Sequence, residues 1–323
     1  MKRILFVANI TGLLMVLAAG QTLSAKDTFS LYGENDSRYL KPNGKSDRHY
    51  TNGAKIVYTT QPDWQWLREF GNWDGLADAA TTERAVGFFF GQNMYTPDQA
   101  DEPFKRYPRD RVFAGWLYTG MFVQRREGAT LDHLEFNLGV VGPSSLAENA
   151  QRCIHKIANS GETIGWEDQL EDEPAADAMW VRKQRHEEGL LAPTEHTDVI
   201  TDFGATVGSL HRHAEAGIML RYGLKLPNDF GPGRLTLPTS AASLGPNPYK
   251  SLYLFSRLSG RAVEYDRFLT GLTHQPFVGR AEVGVVCRFN NFEIAYAQTF
   301  MTQEYDQQDA NDSYGALTLT WLF

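Results

Sequence analysis

Cysteine is nearly absent from this chain: 323 residues contain two, Cys153 and Cys287. So few exclude a disulfide-built scaffold and a zinc cluster based on paired CxxC motifs, and spacing leaves open whether the two pair or stay free. A basic excess is missing too. The 31 Lys and Arg stand against 39 Asp and Glu, a formal charge of −8, which argues against a nucleic-acid partner. Beyond the first 25 residues no run of 18 apolar residues occurs, so no helix crosses a membrane there. A mean hydropathy of −0.39 agrees. A β-barrel passes both filters, because its strands alternate and never form long apolar runs. Disorder is excluded by 19 Phe, 14 Tyr and 7 Trp among mixed charges.

The single apolar stretch runs from Ile4 to Ala19, behind Lys2 and Arg3 and ahead of Leu23-Ser24-Ala25. That is the charged, apolar, small-residue order of a secretory signal, expected to be cleaved after residues 1–25. A membrane anchor is the alternative, but the stretch is short for a span and holds Asn9 and Thr11. Residues 26–323 are then read as one exported domain.

In that domain the recurring pattern is alternation. Clear examples cover Phe113 to Gln124, Leu131 to Val141, Val199 to Leu210, Ala214 to Leu226, Ser251 to Tyr265, Phe277 to Phe289, Phe292 to Met301 and Ser313 to Phe323. Each pairs an apolar face with a face of Gly, Ser, Thr or charge. Weaker candidates at 28–36, 49–60, 83–93 and 177–190 bring the number to about twelve. Tight turns are expected at 125–129, 211–213 and 290–291. A β-sandwich shares this alternation. Strands of about ten residues with aromatics near their ends (Trp116, Tyr118, Tyr222, Tyr253, Phe255, Phe289, Phe292) favour an all-β, antiparallel transmembrane barrel of about 12 strands. The chain also ends on an alternating segment closed by Phe323, similar to the C-terminal signal of bacterial outer-membrane proteins. The outer membrane is therefore the expected address.

One stretch reads as helix. Ser145 with Glu148 three residues later predicts a capping box. Leu146, Ala150, Cys153, Ile154 and Ile157 then fall on one side, with Glu148, Gln151 and His155 opposite. The barrel thus carries one short amphipathic helix in a loop. Segments 61–82 and 227–248, rich in Pro, Gly, Asp and Asn, are read as outer loops.

Three clusters carry candidate chemistry: Glu34-Asn35-Asp36, Asp47 to Gly53 (DRHYTNG), and Gln151 to His155 followed by Gly165 to Leu170 and Glu173-Pro174. Here the sequence resembles the outer-membrane lipid A 3′-O-deacylases. The resemblance rests on these clusters, on Gln92 to Pro97 (QNMYTP), on Asp110 to Tyr118 (DRVFAGWLY) and on Val141 to His155. They run in order over most of residues 28–174, and the C-terminal half matches more loosely, mainly through Thr302 to Tyr305. It implies a twelve-stranded barrel removing an acyloxyacyl chain from lipid A in the outer leaflet, with Ca²⁺ required. The family's active-site Asn and Asp fall on Asn35 and Asp36, its Thr on Thr51 and its essential His on His155. A family lysine after the YTP motif is replaced by Glu102, with Lys105 and Arg106 nearby, and a tyrosine expected after the helix His has no counterpart between Lys156 and Trp166.

The chemistry is coherent with that assignment. An imidazole near neutrality is the natural base, so His155 would deprotonate water. Ca²⁺, with Asp36 as an anionic ligand, would polarise the ester carbonyl. Asn35 could donate to the oxyanion, Thr51 hold the water or a ligand, and Gln151 orient the imidazole. Each residue has a plainer reading: a solvated helical His, or turn formers in Asn35-Asp36 and Thr51-Asn52-Gly53. Cys153 is rejected as a nucleophile, since i and i+2 on a helix diverge. Ser145 is assigned to the cap, and no G-x-S-x-G elbow exists. His211 and His213 are read as flanking a solvated turn, and Lys105-Arg106 and Arg109-Asp110-Arg111 as charged loop, with contact to lipid A phosphates as the alternative. The expected partners are lipid A or lipopolysaccharide and the outer membrane, the expected state a monomer. The alternatives are a non-enzymatic channel or binding barrel, and a phospholipase-type esterase using Ser144 or Ser145.

Overall fold

The computed structural model describes residues 27–36, 48–70, 82–98, 110–158, 164–188, 193–235, 238, 240–244 and 250–323. The expected signal segment at 1–25 lies outside the described residues, as do Asp47, Glu102, Lys105, Arg106 and Arg109.

Twelve strands form the wall: β1 (Thr28–Asn35), β2 (His49–Thr60), β3 (Glu83–Thr96), β4 (Ala114–Glu127), β5 (Thr130–Val141), β6 (Glu173–Arg185), β7 (Thr197–Gly208), β8 (His211–Leu224), β9 (Lys250–Asp266), β10 (Phe277–Phe289), β11 (Phe292–Met301) and β12 (Asp312–Leu322). Among the described residues two α-helices accompany them, α1 (Gln65–Phe70) and α2 (Ala147–Ala158). Every strand pairs antiparallel with its chain neighbours, and β1 closes on β12 from Thr28↔Leu322 to Asn35↔Gly315. Closure removes the sheet edges. The expected barrel and its strand number are thereby seen directly.

The alternation explains the two surfaces. On β9 the outward Leu252, Leu254 and Leu258 are exposed, while the inward Tyr253, Phe255 and Arg257 are buried. Outward Phe88, Phe90, Phe136 and Leu138 continue this apolar belt on β3 and β5. The inward charges are paired, as buried charges must be. Arg257 meets Asp202 at 2.6 Å and Glu215 at 2.9 Å, Arg221 meets Asp198 and Asp229 at 2.5 Å, and Lys55 meets Glu135 at 3.2 Å.

Several expectations change. The connections at 61–82 and 227–248 leave the barrel at the end where β1 begins and β12 finishes, opposite the loop that holds α2. All three therefore cannot be outer loops. The second one turns inward: Leu235 N donates to Glu34 Oε1 (3.1 Å), Ser240 N to Tyr32 Oη (3.2 Å), and Arg126 Nη1 to Leu244 O (2.9 Å). Its Phe230, Ala241 and Leu244 pack on Ala85 and Leu131 inside the barrel. Apolar side chains within a Pro/Gly-rich segment were its inward signal. Trp116, Tyr118, Tyr253 and Phe255 also point into the lumen rather than into an interfacial girdle. His211 opens β8 instead of forming the turn, which falls on Ser209 and Leu210. Cys153 and Cys287 are both free and exposed, at opposite ends of the barrel, so they do not pair.

Candidate active site

The end of β1, the start of β2 and the end of β3 build one polar patch. Alternation turns Glu34 inward and Asn35 outward, and Asn35 Nδ2 donates to Thr51 O (3.1 Å). Asp36 N donates to the same oxygen (3.2 Å), while Arg48 N donates to Asp36 Oδ2 (2.7 Å). Thr51 occupies a β-bulge, since Tyr50 pairs with Tyr95 but Asn52 with Met94. The bulge lets its hydroxyl reach that of Thr96 at 2.6 Å. Asp36 and Thr51 are both buried.

The second half of the site rests two residues away along β3. Outward Gln92 donates through Nε2 to Ser145 O (2.7 Å), and Ala147 packs with Met94, Phe113 and Trp166. Met94 and Thr96 share the outer face of β3, about 7 Å apart at strand rise. Gly115 on β4 admits α2: a Cβ there would lie 2.1 Å from Ser145 Oγ and 2.3 Å from Ala147 Cβ. Helix α2 therefore sits against the outside of the wall, not over the lumen. Ala147, Gln151 and His155, each four residues apart, form its inward side, with Gln151 buried and His155 half-buried. Trp166 Nε1 donates to Gln151 Oε1 (2.7 Å). Gln151 Nε2 is buried with no hydrogen-bond partner among the described residues.

The structure thus unites Asn35, Asp36 and Thr51 by hydrogen bonds. It places Gln151 and His155 on the same outer wall, at the same end. The capping box does not form. Ser145 belongs to a 3₁₀ turn (Pro143–Ser145), Leu146 follows in the left-handed region at φ 59°, and Ser145 Oγ is buried with no hydrogen-bond partner among the described residues. Packing against Gly115 takes Ser145 away from the helix N-terminus.

One group was overlooked as a unit. The His49 ring is 1% exposed, with Nδ1 2.7 Å from Asp312 Oδ2 and Nε2 2.8 Å from Tyr305 Oη. Tyr305 also donates to Asp110, and Arg111 meets Glu304 at 2.7 Å. Burial holds the Tyr305 phenol well above its ordinary pKa, so it remains a donor. His49 itself lies at φ 56°, an unfavourable value for a side chain with a Cβ. This inner brace fixes the residue two positions before the bulged Thr51. Its pieces stand in the sequence at 47–53, 110–118 and 302–305; there Thr51 carries a site role and Asp110-Arg111 reads as charged loop, whereas Arg111 is buried and paired inside the mouth.

Inside the wall, a cavity of about 100 Å³ lies among Tyr50, Tyr95, Trp116, His211, His213 and Arg280. His211 is bonded to Asp177 at 2.6 Å rather than solvated. Among the described residues no cluster of three or more His, Cys, Asp or Glu side chains is arranged to hold a metal ion. The side-chain oxygens of this stretch (the Asp36 carboxylate, Asn35 Oδ1 and the Thr51 hydroxyl) are of the kind a hard cation such as Ca²⁺ takes together with carbonyls or waters.

Comparison with known proteins agrees with this architecture. The structure of LpxR from Salmonella typhimurium is similar over 92% of this chain and 100% of that one, with a TM-score of 0.71 at 20% identity. The translocator domain of the autotransporter NalP from Neisseria meningitidis aligns over 98% of this chain and 95% of its own, at 7% identity and a TM-score of 0.41. No curated protein matches by sequence. The family described as "Outer membrane protein LpxR" matches residues 5–323, and the chain belongs to this family of outer-membrane proteins.

Proposed function

We propose that this protein is a lipid A 3′-O-deacylase, acting as a monomer at the membrane face of its barrel. The observation that carries the reading is where the polar groups lie. Asn35 and the Thr51–Thr96 hydroxyl pair lie at the end of the outer wall that also seats α2 with Gln151 and His155, beside the apolar belt and so near a membrane-embedded ester, with Asp36 tied to them through Thr51 O. A channel would place its working groups in the lumen, but here Phe230, Leu235, Ser240, Ala241, Leu244 and paired charges occupy the lumen. A phospholipase-type serine is disfavoured as well: Ser145 is 0% exposed, and Ser144 Oγ donates to Asp172 (2.6 Å).

In this mechanism His155 takes a proton from water as the water oxygen attacks the ester carbonyl. Collapse of the tetrahedral intermediate breaks the acyl–oxygen bond, and the proton held by His155 passes to the departing sugar oxygen, which leaves as the hydroxyl. Gln151, anchored by Trp166, sets the helix turn from which His155 projects. Asn35 gives one N–H to Thr51 O, so the other remains for the oxyanion. Calcium, held by Asp36 with Asn35 and the Thr51 hydroxyl, would polarise the carbonyl when bound.

The test is mass spectrometry of lipid A from cells producing wild type or His155→Ala, with insertion of both checked by heat-modifiable migration. Loss of one acyloxyacyl unit in the wild type alone supports the reading. Added calcium and then a chelator probe the metal in the purified protein. Unchanged lipid A with an inserted, calcium-supplied wild type overturns it.

A further inference from the structure

Helix α2 has three faces rather than two. At about 100° per residue, Ala147, Gln151 and His155 span roughly 80° and meet the wall. Glu148, Arg152 and Lys156 form a second, charged sector in which Arg152 and Glu148 pair at 2.5 Å. The third sector holds Cys153, Ile154 and Ile157, preceded by Leu146. Leu146 is 54%, Ile154 39% and Ile157 63% exposed. Of the hydrophobic side expected from the sequence, Ala150 packs against the Met94–Phe113–Trp166 cluster, while Leu146, Cys153, Ile154 and Ile157 stand exposed.

We infer that this third face is immersed in the acyl chains of the leaflet around this end of the barrel. Helix α2 then lies along the membrane surface with Arg152 and Lys156 at headgroup level. Continuity with the membrane-facing belt identifies the occupant. Helix α2 is seated on the outer face of β3 through Gln92. Phe90, 53% exposed, stands two residues further along that face, and Phe136 and Leu138 lie outward on β5. Apolar surface thus runs from the belt to the helix, and cations flank the helix, as in interfacial amphipathic helices. This inference rests on the outer-membrane address and is independent of the hydrolase reading.

The experiment uses full-length protein in phosphatidylcholine vesicles brominated on the acyl chains. Cys287→Ser leaves Cys153 as the single thiol for an environment-sensitive fluorophore. Two further variants in a cysteine-free background move the label to Ile157→Cys and Arg152→Cys. Labels at 153 and 157 should be blue-shifted, quenched several-fold by bromine and shielded from iodide, whereas the label at 152 should be open to iodide. The Ile157→Cys variant keeps the test intact if labelling at 153 impairs insertion. Equal iodide quenching at all three sites overturns the inference, because the helix would stand in water. Protection of 153 and 157 from both quenchers overturns it in favour of a covering protein surface.

Discussion

The imidazole of His49 and the carboxylate of Asp312, 263 residues apart in sequence, meet at 2.7 Å inside the barrel mouth. This contact ties β12 to the first residue of β2, just where the bulge turns Thr51 toward Thr96. His49→Ala takes from the buried Asp312 carboxylate its shortest contact, leaving it Gln308 at 3.0 Å and Arg48 at 3.5 Å, and should cost about 1–3 kcal/mol of stability. His49→Gly relieves the positive φ and should recover part of that loss. Both should lower deacylation, and urea titration of refolded protein with lipid A assays separates the two effects.

His155→Asn retains a polar side chain but removes the base. Turnover should fall by about 10²–10⁴-fold, with barrel stability unchanged. Single-turnover measurements on purified lipid A would show the loss in the chemical step. An activity within threefold of wild type would remove His155 from the mechanism.

Gly115→Ala places a Cβ 2.1 Å from Ser145 Oγ. The wall has no room to give, so α2 must lift away from β4. The barrel should insert normally while activity drops by at least tenfold, read by heat-modifiable migration beside a lipid A assay.

Trp166→Phe keeps the ring packed on Phe113 but deletes the N–H that Gln151 Oε1 accepts. A loss of about 1–2 kcal/mol from that buried acceptor should loosen the helix turn below His155. The expected result is a roughly tenfold lower kcat with KM little changed.

The loop that carries α2 is pinned at its base by Ser144, whose Oγ and N donate to Asp172 at 2.6 and 2.7 Å. These bonds, the hydroxyl's first, hold the Asp172 carboxyl below its ordinary pKa. Their stabilisation is therefore complete above the ordinary carboxylate range and is lost as pH falls through the depressed folded value. Ser144→Ala removes the hydroxyl but keeps the backbone N–H, so it should raise the Asp172 pKa part of the way toward the ordinary range, measured by carboxyl-carbon NMR in micelles.

Strand periodicity was legible in the residues, because a wall between lipid and lumen forces polarity to alternate with period two, and β10 and β11 fall just where that alternation put them. The clusters at 34–36, 47–53 and 151–155 were legible as polar exceptions to it. Alternation alone does not say which face carries an aromatic, since a filled lumen accepts rings and paired charges alike; Tyr253 and Phe255 show this. Segment 227–248 looked like an outer loop because Pro and Gly mark irregular backbone at either end of a barrel, and only closure of the sheet determined its end. Helix α2 carried its apolar stripe openly in sequence. That the polar edge with Gln151 and His155 turns to the wall was decided by Gly115 and Gln92, which create a seat that no local pattern encodes.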